Sequence, residues 1–403
     1  MKVLVASEGR FLRYRGHVYT DSGNAYEYWA RYLDVFSPVQ VVARVTPAST
    51  IPAGSQRADG EGVEVVALPY YQGPSEGVRR LPALLASTRR VAAETGAFIL
   101  LVPGVIGTLV GRWLTRRGWP YGIQVVGDPQ AGLSSQAIGR LWSTWAKPLT
   151  TRALRQQCRS AACAAYVTAH YLQERYPART PFTYHFSDVW LPDALFADGV
   201  PSGRWEQQDT GLRKGPVWEL LFVGSLEQRY KGLHVLLDAL RICVGRGLPL
   251  ALTVLGDGVH RSAYERQARE MGLADRVRFA GWVPSASVSD HLQRADLFVM
   301  PSLTEGLPRA LLEAMARGLP CIGSDVGGIP ELLAPGDLVP PGDARALAHK
   351  IESVLNDPVV TKAMAARNHE TAGRYRASVM AAERLRFLRK VEESTPSLPH
   401  SAR

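Results

Sequence analysis

The chain has 403 residues, 46% hydrophobic and 21% charged, the balance of a globular protein with room for two cores rather than of a disordered or membrane-spanning one. Its formal charge of +10 is unevenly spread: residues 1–190 hold 21 Lys and Arg against 12 Asp and Glu, whereas the remainder holds 26 against 25. Such asymmetry suits an anionic partner for the first half, whether membrane surface, nucleic acid or phosphorylated substrate.

The opening stretch, MKVLVASEGRFLRYRGH, turns charged before an apolar core of signal-peptide length develops, so no export signal is expected. Strands are expected at KVLVAS, VQVVARV, VEVVALP, FILLVP, YGIQVVG and AAYVTA. The longest apolar run, Ala97 to Val110, is broken by Pro103 and glycines and is too short to cross a bilayer; it reads as a buried strand, a loop and a helix start. Gly139 to Arg159 carries five cations, two tryptophans and no acid. It reads first as a surface helix, with a membrane-surface contact as the alternative. Cys158, Cys163, Cys243 and Cys321 lack paired spacing, which argues against zinc and for structural thiols in a reducing cytosol. His17, His170 and His185 are scattered and are left without a role.

Ala197 to Pro216 is rich in Gly, Pro and charge without periodicity, and a linker is expected there. The expected organisation is a first domain over 1–196, the linker 197–216, a second domain over 217–375, a helix over 376–393 that packs back on the first domain, and a disordered tail, 394–403. From Trp218 onward, apolar strands alternate with amphipathic helices: WELLFVG, then Leu233, Leu236, Leu237 and Leu240 at helical spacing, then LALTVLG, RVRFAGWV and DLFVMPS. Repeated βα connectivity implies doubly wound parallel sheets, which bind ligands at the carboxyl ends of their strands. Two such domains would face each other across a central cleft.

Two motifs sit where that rule puts them. In VGSLEQRYKG, Val223 to Gly232, a strand ends, a loop carries Arg229, and Lys231 opens the next helix. A cation there opposes the helix dipole and suits an anion that also takes the free N–H groups. In EGLPRALLEAMARG, Glu305-Gly306 turns, Pro308 suits the first helical position, and Leu311, Leu312 and Met315 face inward. Glu305 precedes the helix and Glu313 lies two turns along it. A carboxylate can hold vicinal hydroxyls, so two of them flanking an anion-seeking helix end describe a sugar nucleotide. GDGVHR, Gly256 to Arg261, lacks the third glycine of a dinucleotide fingerprint and is set aside.

The second half resembles the retaining GT-B glycosyltransferases of family 4, the glycosyl transferases group 1. The resemblance rests on FVGSLEQRYKG, LTVLGDG, RVRFAGWV and ADLFVMPSLTEGLPRALLEAMARGLPCIGSDVGGIPEL, in order over about 120 residues. It implies a GT-B fold of two Rossmann-like domains, with Glu305 on the donor sugar, Glu313 on the ribose, Lys231 on the diphosphate, and the main chain at Trp282 and Val283 near the base. Gly224, Ser225, Gly306, Leu307, Pro308, Arg309 and Ala310 complete the implied donor site, and Gly327 and Gly328 would let a loop pass close to the ligand. Ser225 stands where relatives often carry Arg, so Arg229 is the candidate replacement cation. Asp128, in VVGDPQ, stands near where many members have a His; catalysis and capping of the following turn are both open for it. Gly23, in TDSGN, is the candidate for the first-loop glycine.

The combined reading is a metal-independent retaining transferase, without cofactor, that moves a sugar from a UDP- or GDP-sugar to an acceptor such as a glycan or glycolipid precursor. It would be cytoplasmic, with its basic first half at an anionic inner membrane surface or a lipid-linked acceptor. The rivals are a nucleotide-sugar epimerase, which donor alone would reveal, a transferase for small soluble acceptors, and a nucleic-acid binder. The last would need aromatic and basic residues interleaved on one face, and no nucleic acid partner is expected.

Overall fold

The computed structural model describes residues 1–21, 24–132, 140–189, 191–196, 199 and 217–396. The chain divides into two compact units, Met1–Phe186 with Ala381–Arg403, and Ser187–Met380. Strands are numbered in chain order, and helices likewise where they reach eight residues.

The first unit is built on a nine-stranded sheet. β1 (Val3–Tyr14), β3 (Val39–Pro47), β5 (Val63–Leu68), β6 (Ala97–Val102), β7 (Gly122–Val125), β8 (Cys163–Tyr166) and β9 (Thr183–His185) pair in parallel in the order β5-β3-β1-β6-β7-β8-β9. β6 is buried at every residue, which is why it reads as a continuous apolar run. The expected strand KVLVAS is only the first half of β1. The register against β3 shifts between Ala6 and Arg10, and the strand continues to Tyr14. There Arg15 and Gly16, at φ of 47° and 85°, turn it into the antiparallel β2 (His17–Thr20), which pairs in turn with β4 (Gln56–Arg57). Helices α1 (Gly73–Ala93), α2 (Val105–Arg117) and α3 (Arg140–Ser160) belong to the same unit.

The second unit carries a six-stranded parallel sheet: β10 (Trp218–Val223), β11 (Leu250–Leu255), β12 (Val277–Gly281), β13 (Leu297–Met300), β14 (Cys321–Ser324) and β15 (Leu338–Val339), in the order β12-β11-β10-β13-β14-β15. Chain order therefore reverses between β10 and β13, the switch point at which doubly wound sheets open a crevice. α4 (Leu233–Gly245), α5 (Arg261–Glu270), α6 (Ser285–Arg294), α7 (Arg309–Ala316), α8 (Ala344–Leu355) and α9 (Pro358–Gly373) are the remaining helices of this unit. Alternate residues of β10 and β11, Leu220, Phe222, Leu250, Leu252 and Val254, enter one core with Leu236, Leu240, Leu347 and Ile351 of the covering helices.

The unit boundary falls earlier than the expected linker. Leu191 bridges to Arg376, accepts from Ala377 N, and is followed by Phe196 stacked under the Arg376 guanidinium at 4.2 Å, so residues 191–196 belong with the second unit. Of the linker, 197–198 and 200–216 lie outside the described residues, as do 397–403 of the tail. The last helix, α10 (Ala377–Ser394), starts in the second unit and from Ala381 counts with the first, where Phe387 meets the rings of Tyr184 and Phe186. All four cysteines are buried free thiols, and burial pushes Cys158 and Cys163 up to about 12. No helix of the described residues is long and apolar enough to cross a membrane.

Candidate donor site at the switch point of the second sheet

Two loops meet at the carboxyl ends of β10 and β13. Leu303 N donates to Tyr230 O at 2.7 Å, which ties the segment after β13 to the turn Arg229–Lys231. Gly232, at φ 76°, is required there: a Cβ would collide with the carbonyl oxygen of Pro301. The turn is held from its other side by Gly224 N on Leu255 O and Leu226 N on Asp257 O, both 2.9 Å. LGDG is thus the scaffold of the Lys231 loop.

These constraints bring Lys231 and Glu305, 74 positions apart, into one ion pair, Nζ to Oε1 at 2.6 Å. The Glu305 side chain is 7% exposed and that of Lys231 22%. The ammonium lies 5.4 Å from the centroid of the Tyr230 ring. One of its three protons serves Glu305, which leaves two for a ligand. The other carboxylate oxygen, Glu305 Oε2, is buried and has no hydrogen-bond partner among the described residues. A buried acceptor left without a donor costs about 1–3 kcal/mol, so this oxygen is prepared for a donor group such as a hydroxyl.

The next element supplies N–H groups. Pro308 occupies the N-cap of α7, one position earlier than expected, with φ −76° and ψ 116°; it makes no side-chain cap, and Leu312 N is the first amide to bond back, to Pro308 O. Arg309, Ala310 and Leu311 therefore open the helix with unsatisfied amides that favour an anion. Glu313 lies further along α7, partly buried. Burial raises its pKa, and the Arg309 charge opposes that rise. Glu305 precedes the α7 N-terminus, and Glu313, the fifth residue of α7, lies little more than one turn along it rather than the two turns expected.

The glycine pair packs against the Glu305 loop. Gly328 N donates to Gly306 O at 2.8 Å, and Gly327, at φ 59°, lies so close to Glu305 that a Cβ would strike its carbonyl oxygen. The pair fixes the backbone of Glu305 itself.

Other expected residues are less concentrated. Arg229 is exposed, and its charge acts on two neighbours: it opposes the burial-driven rise of Tyr264 and adds to the burial that lowers His234. Ser225 is exposed, its hydroxyl accepting from Glu227 N at 3.2 Å. Trp282 is 76% exposed and follows β12 with Val283. Gly23 lies outside the described residues. Asp128 is in the first unit, and both of its carboxylate oxygens are engaged: it accepts from Tyr176 Oη at 2.6 Å, Gln130 N at 2.8 Å and Tyr171 Oη at 2.9 Å, and forms an ion pair with Arg175, Nε at 3.0 Å. Burial first, then Asp128, raises both tyrosines to about 12. Of the two roles left open, capping is the one this geometry displays. The sequence reading missed Ser302, fully buried just after β13, whose hydroxyl has no partner among the described residues. Its place at a strand's carboxyl end was the available signal.

Residues 218–357 match the family described as glycosyl transferases group 1. Over 367 residues the chain is 23% identical to protein CapJ of Staphylococcus aureus, covering 90% of this chain and 87% of that protein. It is 39% identical over 138 residues to the amylovoran biosynthesis glycosyltransferase AmsK of Erwinia amylovora, 32% of this chain and 34% of the relative. The structure of Anabaena Alr3699/HepE in complex with UDP superposes with a TM-score of 0.65 at 18% identity, over 96% of this chain and 99% of that one. The likeness to the glycosyl transferases group 1 thus lies in residues 218–357, and the fold, two units each built on a largely parallel sheet, is the one shared with structures of GT-B type.

Proposed function

We propose that the chain transfers a sugar from a nucleotide-diphosphate donor, a UDP- or GDP-sugar, to a glycan or glycolipid precursor, with retention at the anomeric carbon. The observation that carries this reading is the buried Glu305 carboxylate, one oxygen held by Lys231 and the other without a partner among the described residues, beside the start of α7, which has no side-chain cap. A sugar hydroxyl answers the lone oxygen, and a diphosphate answers the remaining Lys231 protons and the helix amides. Glu313 would take the ribose hydroxyls, Arg229 would add a second cation, and the main chain at Trp282 and Val283 would meet the base. The likeness to a UDP-bound structure and to a relative named for amylovoran biosynthesis supports donor and acceptor classes of this kind.

In this mechanism the bond from the anomeric carbon to the diphosphate oxygen breaks and the bond to the acceptor oxygen forms on the same face. The departing diphosphate oxygen takes the acceptor's proton. The enzyme's part is electrostatic: Lys231 and the α7 amides stabilise the charge that develops on the diphosphate. No metal or cofactor is required by this reading. It places the protein in the cytoplasm, at the inner membrane surface when its acceptor is lipid-linked.

Thermal-shift and saturation-transfer measurements with UDP-, GDP- and ADP-sugars test the donor class; one series should bind, and binding by none overturns the reading. Glu305→Ala should retain free nucleotide while losing turnover, and an anomeric configuration inverted in the product would refute retention.

A further inference from the structure

We infer that the first unit carries a binding groove for a phosphate-bearing ligand along α3, at a site distinct in chemistry from the donor site. The groove encloses about 900 Å³ and is lined by Gln130, Lys147, Thr151, Arg152, Arg155 and Arg159, among others, with no carboxylate. None of its four cations forms an ion pair among the described residues, whereas Arg175, which binds Gln130, is neutralised by Asp128. Arg152, Arg155 and Arg159 recur at spacings of three and four, so like charges face one another on one helix side, an arrangement that destabilises a helix unless an anion neutralises it. Thr151 is the second observation. Thr150 makes the usual bond from its hydroxyl to the carbonyl four residues back, Ala146 O at 2.7 Å. Thr151 does not: it is 6% exposed, it lines the groove, and its hydroxyl has no partner among the described residues. A buried donor with arginine forks around it matches phosphate oxygens. Lys147 to Arg159 spans about 18 Å of helix, enough for more than one phosphate. The inference holds whatever sugar is transferred.

Calorimetry with inorganic pyrophosphate, and co-sedimentation with vesicles of phosphatidylcholine alone or mixed with phosphatidylglycerol, separate a free phosphate from a lipid headgroup as the source. The double variant Arg152→Gln/Arg155→Gln should lose affinity for the bound probe by about tenfold or more, and Thr151→Val by about threefold or more without any change of charge. Arg79→Gln/Arg80→Gln, an equal charge change on exposed α1, should lose less than about twofold. Binding of pyrophosphate that persists in Lys231→Ala assigns a soluble ligand to the groove, and binding only of the anionic vesicles assigns a lipid headgroup. The inference is overturned if neither probe binds, if the α1 control loses as much as the groove variant, or if Lys231→Ala abolishes pyrophosphate binding while the groove variants do not. The last pattern would leave the donor reading intact.

Discussion

Lys231→Met tests the ion pair at the switch point most directly. It leaves the Glu305 carboxylate, 7% exposed and already without a donor on Oε2, with no hydrogen-bond partner on Oε1 either. Breaking a buried pair by removing one partner costs about 3–5 kcal/mol, and the partial exposure of Lys231 points to the lower end, about 3 kcal/mol. For a unit of this size that is a fall in Tm of about 6–12 °C. The double variant Lys231→Met/Glu305→Gln removes the stranded charge as well, and should lie within about 1 kcal/mol of wild type. Both variants should lose nucleotide-sugar binding, because both lack the ammonium proposed to meet the diphosphate. Chemical denaturation at neutral pH, with calorimetric titration of donor alongside, separates the two effects. A single variant within about 0.5 kcal/mol of wild type, or a double variant as unstable as the sum of the single ones, would show that the pair does not form as described.

Glu313→Gln should weaken free nucleotide by about tenfold or more, read by calorimetry, because a charged hydrogen bond to ribose is lost. The same change should stabilise the unliganded protein at neutral pH. The folded pKa of Glu313 is raised, so the native state favours the protonated form; stability from this group is fully present below the ordinary glutamate value and is lost as pH rises through the folded value. The gain in Tm should therefore fade on acidification. Gly327→Ala places a Cβ against the Glu305 carbonyl in a left-handed conformation, and should lower kcat while Glu313-dependent nucleotide binding persists, as kinetics beside calorimetry would show. Asp128→Asn should cost the first unit about 2–4 kcal/mol in denaturation and leave nucleotide affinity unchanged. Turnover should survive excess chelator; loss restored by Mg²⁺ or Mn²⁺ would move the diphosphate away from Lys231.

The sequence displays its parallel strands because buried parallel strands must be apolar at nearly every position, as β6 and β13 are. It displays the candidate site because Lys231 and Glu305 stand in the loops that follow such strands, where charged residues are costly without a partner, with Glu313 in the helix after the second loop. Short edge elements such as β4 and β15, at two residues each, are too brief for any period to register. The unit boundary was hidden for another reason. Composition marks Ala197 to Pro216, but membership is decided by side chains, and Phe196 under Arg376 and Leu191 bonded to Ala377 are pairings between positions some 180 residues apart.

Asp128 and Glu305 show where residue type stops being informative. Both are acids just after a parallel strand, and both are at most 8% exposed. Asp128 accepts from two tyrosine hydroxyls and a main-chain amide and pairs with a guanidinium, so both of its oxygens are engaged within its own unit and it serves the fold. Among the described residues Glu305 has one partner for two oxygens, and its backbone is approached by Gly327, where a side chain would meet its carbonyl oxygen. A protein that holds a half-satisfied carboxylate so tightly forgoes about 1–3 kcal/mol that a second donor would return. The missing donor is therefore expected from outside the chain, and a nucleotide-linked sugar brings hydroxyls beside the phosphate charge that Lys231 and the α7 amides are placed to meet.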